Sequence, residues 1–293
     1  MKYTENTKVT QSGMTLIELS VVLLVMVGLA GVAVPYVAGM ADKAHDSTTA
    51  STINSLNQAI AKFKSDHNAL PERLETLTDA SGVIGYLINK VNYTDNLFST
   101  TDTNADGTAA NVALSFQRAG MSAVFTNKAD AAVDNGNHTF GAPNARQDLT
   151  AATPFAYVQG AGGSFWGGAL SNLKDHLAYA LGGNRLDYDE SCYSYVAMGV
   201  GDNSELIGKG LQSAPVLFMP NGDLGPEKKY SRFIAIFKVQ SNNGWGSMME
   251  DGTTPCPDQI QPATFLGAVA DMDFGALVGA KASQQWSTSA ARQ

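Results

Sequence analysis

The chain has 293 residues, 44% of them apolar, which is enough for one large domain or two small ones with a real core. It is acidic, with 19 Lys and Arg against 27 Asp and Glu and a net charge of −8, so nucleic acid is not expected as its main ligand. Its two cysteines, Cys192 and Cys256, form no CxxC pair, which argues against a cysteine-based structural zinc site.

The first thirteen residues, "MKYTENTKVTQSG", are polar, and residues 19–41 carry no charge. That apolar run is long enough to cross a bilayer as a helix, which takes about 20 residues. Lys2 and Lys8 against Glu5 favour a cytoplasmic N-terminus by the positive-inside rule. Glu18 stands at the head of the run, where a carboxylate in hydrocarbon costs about 2.5–3.5 kcal/mol on insertion scales. An ordinary secretory signal cut near "GMA" (39–41) leaves this acid unexplained, and so does a plain anchor. Cleavage before the run, freeing Met14, is the third reading.

"GMTLIE", Gly13 to Glu18, resembles the processing site of type IV pilins and of type II secretion pseudopilins. The match lies in Gly13, the polar leader before it, Glu18 as the fifth residue after the cut, and the unbroken apolar run; Pro35 matches a proline typical of many pilins. Methionine replaces the commoner phenylalanine at position 14. The resemblance covers residues 1 to about 70. It implies a leader peptide (1–13) removed by a prepilin peptidase, with methylation of the new Met14 amine. It further implies a transmembrane and filament-core helix (14–41) and a periplasmic or extracellular globular domain (42–293). In such filaments the ammonium of one subunit pairs with the glutamate of a neighbour. Two charges that are costly alone in a low-dielectric core are then largely offset. Gly28, Gly31 and Pro35 sit in the run; small residues permit close helix approach, and proline removes a backbone donor and kinks or breaks a helix.

Beyond Asp42, Ile53, Leu56, Ile60 and Phe63 recur at spacings of 3, 4 and 3, one apolar stripe on a helix that should pack against a sheet. The helix is expected from about 14 to 66, roughly 80 Å long, ending at Asn68 and Pro71. "LPERLETLTD" (70–79) resembles the short segment that follows the long helix in major pseudopilins.

Residues 99–165 read as long polar loops with short strands, among them "VALSFQ" (112–117). Asp102, Asn104, Asp106 and Gly107 have the D-x-N-x-D-G spacing of a calcium loop. Ala113 occupies the place of the closing acid, so the loop is incomplete as an EF-hand and competes with a polar Asx turn. Leu170, Leu173, Leu177 and Leu181 have helical spacing, with Gly182 and Gly183 as a stop.

"SYVAMGV" (194–200), "APVLFMP" (214–220) and "RFIAIFKVQ" (232–240) read as strands of an antiparallel sheet, and "ATFLGAVADMDFGALVGA" (263–280) reads equally as strand or helix. If the domain is exported, Cys192 and Cys256 read as one disulfide; the alternative is two buried thiols. A bridge there resembles the disulfide-bounded C-terminal region of many pilins.

No catalytic constellation emerges, and the chain is not read as an enzyme. His45, His67, His138 and His176 are scattered without HExxH, Ser164 misses G-x-S-x-G, and Ser171 with Lys174 lacks companion motifs. Asp187, Asp189 and Glu190 read as an acidic turn, with a ligand group as the alternative, and Asn92 and Asn137 head glycosylation sequons. The expected fold is α+β and pilin-like: a long N-terminal helix, its first half membrane-spanning, packed on a C-terminal antiparallel sheet. The expected function is a structural subunit of a type IV pilus-like filament, a helical homo-polymer. The alternatives are a type II secretion pseudopilin, a minor pilin, or a membrane-tethered surface enzyme or binding domain. The resemblance implies a prepilin peptidase, an assembly ATPase and an inner-membrane platform as partners. It implies no required cofactor beyond the candidate Ca2+ loop. The subunit would be single-pass in a bacterial inner membrane before assembly, and in an extracellular filament or periplasmic pseudopilus after it.

Overall fold

The computed structural model describes residues 16–79, 98–99, 109–127, 145–158, 173–184, 187–216, 232–240, 248–249 and 251–270. In chain order the elements are α1 (Leu16–His67), β1 (Glu75–Asp79), β2 (Phe98–Ser99), α2 (Ala109–Arg118), β3 (Ala123–Asn127), β4 (Ala145–Asp148), β5 (Ala156–Val158), α3 (Leu173–Leu181), β6 (Tyr193–Gly199), β7 (Ile234–Gln240) and β8 (Thr264–Val269). Contacts divide the chain into two compact units, Met1–His45 and Asp46–Gln293.

In the first unit α1 is apolar nearly all round, and its described side chains are exposed. In the second unit the first buried position among the described residues of α1 is Thr49, and the stripe Leu56, Ile60 and Phe63 is 0–4% exposed. Burying each of these large side chains stabilises by about 1.5–3 kcal/mol. The helix stops where Asn68 takes a left-handed φ of 50°, a common C-terminal device. Lys64 and His67 in its last turn favour the negative end of the helix dipole.

The eight strands form one sheet. β6, β7 and β8 are antiparallel neighbours, with Tyr193 opposite Gln240 and Ile234 opposite Val269. The other edge of β6 is shared by β5, which carries β2, and by β1, which leads to β3 and β4. The β1–β3 pair is parallel, with Glu75 opposite Phe125. Val196, Met198, Ala235, Phe237 and Val239 face a core shared with the α1 stripe and with Val112 and Phe116 of α2. Tyr195, Ala197, Ile234 and Ile236 face a second core with Leu173 and Leu177 of α3. Strands buried on both faces read as continuous apolar runs, as "VAM" and "IAIF" do.

These observations correct the expected fold class. The second unit is β-rich and its sheet is mixed, built from strands along residues 75–269, so the long helix is not packed on a simple C-terminal antiparallel sheet. Apolar side chains on both sheet faces require helices on both sides, and the cores show them. The expected membrane localisation is also overturned: among the described residues no helix is long and apolar enough to cross a membrane.

"VALSFQ", expected as a strand, is helical within α2. Val112 and Phe116, four apart, are fully buried, whereas Leu114, which a strand would place on their face, is 36% exposed. The α2 C-terminus closes with Gly120 N–H donating to Gln117 O (3.0 Å) and Met121 N–H to Phe116 O (3.1 Å), the double bond of a glycine-capped helix end. The helix at 173–181 and its glycine stop are as expected, with Gly182 at φ 81°. Strands at 194–200 and 232–240 also form, and the ambiguous segment from 263 begins as β8. Of "APVLFMP", residues 217–220 lie outside the described residues, and Val216 makes an isolated bridge to Arg232.

Gly120 has φ 87°, and a Cβ there would lie 2.4 Å from Ala69 Cβ. Gly120→Ala should therefore destabilise the fold by about 2–4 kcal/mol, left-handed strain plus overpacking, read as a lower urea midpoint at unchanged m-value.

Candidate functional site

Two regions carry the residues singled out by sequence, one in each unit. In the first, Glu18 lies in the first turn of α1, where a carboxylate favours the positive end of the helix dipole. Around and beyond it Leu16 (85% exposed), Ile17 (73%), Leu24 (76%) and Val27 (71%) present apolar surface. Gly28 and Gly31 have no atom within 4 Å of where a Cβ would stand, so nothing in the described chain packs on them. A run of exposed large apolar side chains of this length exceeds what an isolated soluble surface usually shows and marks a surface that another molecule covers. Pro35 lies inside α1, which is helical throughout Leu16–His67, so the proline does not end the helix. Gly13 and Met14 lie outside the described residues.

In the second unit Cys192 and Cys256 are joined in a disulfide with Cα atoms 5.5 Å apart, 64 residues apart in sequence. The bridge ties the residue before β6 to the β7–β8 connection, residues 241–263. That connection is also held by side chains. Gln240, 1% exposed, donates from Nε2 to Pro257 O (2.7 Å) and accepts at Oε1 from Gln261 N–H (2.7 Å). Ser115 Oγ donates to Gln261 O (2.7 Å), and Arg118 donates to Ile260 O. Each of these polar groups is partnered by backbone, so their role is to fix the loop that delivers β8.

The acidic turn beside the bridge has the same character. Asp189 Oδ1 accepts from Ser191 N–H (3.0 Å) and Cys192 N–H (2.9 Å), an Asx turn leading into β6. Tyr195 donates its hydroxyl proton to Asp189 O (3.0 Å), and Tyr188 to Gly182 O (2.7 Å). Burial, with the nearby Asp189 and Glu190 charges, pushes the Tyr195 phenol well above its usual range. Lys238 Nζ lies 4.0 Å from the Tyr193 ring centroid. Burial pulls the Lys238 ammonium below its usual value, opposed by Asp189 and Asp187. Nothing in the local sequence marks Gln240, Ser115 or Arg118 as loop holders, because their partners are backbone atoms more than ten residues away. Lys238 alone left a trace, as a charge inside an apolar strand.

The candidate calcium residues Asp102, Asn104 and Asp106 lie outside the described residues, as do Asn92, Asn137, His138, Ser164 and Ser171. Ala113 is buried on α2. Among the described residues no group of three or more His, Cys, Asp or Glu could hold a metal. His67 stacks on Phe63 with ring centroids 4.2 Å apart, and Lys174 lies on α3. No protein-family model, curated protein or solved structure matches the chain.

The disulfide closes a loop long enough for the chain-entropy relation to assign it about 4 kcal/mol. Cys192→Ser with Cys256→Ser should lower the unfolding free energy by about 2–5 kcal/mol in a denaturant titration. The oxidised protein should show no free thiol with a thiol reagent until it is reduced.

Proposed function

We propose that the chain is a structural subunit of a pilin-like filament, cleaved after Gly13 and polymerised through the first part of α1. The observation that carries this reading is the exposed apolar surface of α1 from Leu16 to Met40, which has to be covered by apolar partners. In a helical homo-polymer the partner is the same surface of other copies. Helices that are apolar all round pack as a buried bundle, as this stretch would. Small residues at Gly28 and Gly31 allow such helices to approach closely.

An apolar bundle alone leaves the axial register loose. Cleavage after Gly13 would create an ammonium at Met14, four residues from Glu18. Pairing that ammonium with Glu18 of the neighbouring copy would select one register, because every slipped register strands two charges in an apolar core. The partners of this reading are a prepilin peptidase and an assembly machine with its ATPase. The globular unit, fixed by its disulfide and by Gln240, would form the outer surface of the filament.

Glu18→Ala should leave cleavage intact but remove the register-setting charge, a loss of about 3–5 kcal/mol for a stranded buried partner, so filament yield should fall more than tenfold. N-terminal mass spectrometry reads cleavage and electron microscopy reads filaments. Filaments of normal number and length from the variant would refute the pairing role. An uncut N-terminus in the wild-type protein would refute the whole reading.

A further inference from the structure

The connection that leaves β6, residues 201–211, lies against the buried end of α1. Leu206 is fully buried in the core that holds Leu56, Ile60 and Phe63. A Cβ on Gly210 would sit 3.6 Å from Ala59 Cβ, and Lys209 Nζ lies 5.5 Å from the Phe63 ring centroid. The segment is tightly wound on itself: Ile207 N–H donates to Ser204 O (3.0 Å), Gly210 N–H to Leu206 O (2.8 Å), and Gly208 N–H to Leu211 O (2.7 Å).

Its side-chain hydrogen bonds to the rest of the fold run through carboxylates. Glu205 Oε2 accepts from Glu72 N–H (3.1 Å), while Glu205 N–H donates to Glu72 O (3.0 Å), a reciprocal clasp to the α1–β1 link. Glu205 Oε1 also takes the Lys209 ammonium at 2.5 Å. Asp202 is held by both arms of Arg232, at 3.1 and 2.5 Å, where the chain enters β7. Glu72 in turn accepts from Ser122 at the start of β3, through its N–H (3.2 Å) and its hydroxyl. The charged groups that face this set are Lys209 on the segment itself, Arg73 and Glu72 from the α1–β1 link, Glu75 of β1 against Gly201, Arg232 before β7, and His67 of α1 beyond the Phe63 ring.

We propose that residues 201–211 are an acid-released strap: with Asp202 and Glu205 charged the strap is closed on Ala59 and Phe63 of α1, and with them protonated it opens while β6 and β7 stay paired. The inference stands on the fold alone and holds whether or not α1 polymerises. β6 and β7 are held by apolar contacts on both faces and by their own backbone ladder, neither of which a carboxylate supplies. The strap has one deeply buried apolar anchor, Leu206, a partly buried one, Leu211, a backbone bond to Glu72 O, and charge-assisted bonds at the surface. Segments of that kind open locally before the core does.

The direction of the pH effect follows from the contacts. The Arg232 fork holds the Asp202 carboxyl below its usual range, against a smaller push from burial. Burial raises the Glu205 carboxyl, but Lys209 and the Glu72 N–H together outweigh it and leave it below its usual range. Groups with depressed values contribute fully above their unfolded values, about pH 4, and lose that contribution as pH falls through the folded ones. Opening is thus expected below about pH 4 and absent at neutral pH.

Amide hydrogen exchange on the full chain at pH 7 and pH 3, corrected for intrinsic rates, tests this. Protection of Ile207, Gly208, Gly210 and Leu211 should fall about fivefold or more at acid pH, as expected for two surface ion pairs lost together, with β6 and β7 amides unchanged. Asp202→Asn with Glu205→Gln should show the same loss at pH 7, which assigns the effect to these two carboxylates. Equal protection of the strap at both pH values, or a double variant that matches the wild type, overturns the proposal. Parallel loss of protection in β6–β7 also overturns it, since the carboxylates would then hold the whole domain.

Discussion

β7 is the strand on which the larger unit depends. Ile234, Ala235, Ile236 and Phe237 are all fully buried, two toward each face of the sheet. A strand with no wet face needs cover on both sides, and that requirement draws α1 and α2 to one side and α3 to the other. It also explains why the sheet cannot end at the C-terminal strands. β6 is bonded along its length to β7, and its far edge must be paired by strands from earlier in the chain. β5 and β1 divide that edge between them, and this division brings in the parallel β1–β3 pair.

α1 shows how one helix can serve two environments. In the second unit its apolar positions fall on one stripe, and the remaining faces carry Lys62, Lys64 and Ser65 in solvent. In the first unit Leu, Val, Ile and Met cover every face, and no described side chain is buried. A one-sided stripe contributes to the stability of its own domain. An all-round apolar surface contributes nothing to that domain and gains only when other apolar surface meets it. The sequence marks the change where Asp42, Lys43, His45 and Asp46 interrupt the apolar run.

How far the sequence could be read depended on whether the relevant interaction was local. The α1 stripe, the glycine stop after Leu181 and the two long strands β6 and β7 are set by spacing and turn residues close in sequence, and each was readable. The disulfide was readable because two cysteines allow one pairing. "VALSFQ" fits a period of two as well as it fits a helix, and the decision came from elsewhere. Val112 and Phe116 both meet the core, and Ser115 is buried to bond Gln261 and Ala263. β1 was missed for a similar reason. "ETLTD" has little strand character; Leu77 there takes a left-handed φ of 61°, and the strand exists because β3 and β6 flank it. Its buried Thr76 and Thr78 satisfy each other and Pro154 O, a bond that only the folded chain provides.

The polar groups inside the second unit follow one rule that composition could not convey. Gln240, Ser115, Arg118, Asn57 and Asp189 each satisfy backbone atoms of a distant or turning segment. Asn57 does this at the sheet edge, where its Oδ1 accepts from Ala268 N–H at 2.7 Å. Among the described strands β8 lies at the edge, and an edge strand leaves backbone donors that invite pairing with another chain. By covering one of them with a side chain from α1, the fold closes that edge with the same helix whose first part stays exposed. Self-association through β8 is thereby disfavoured, while the described apolar side chains in the first part of α1 stay exposed.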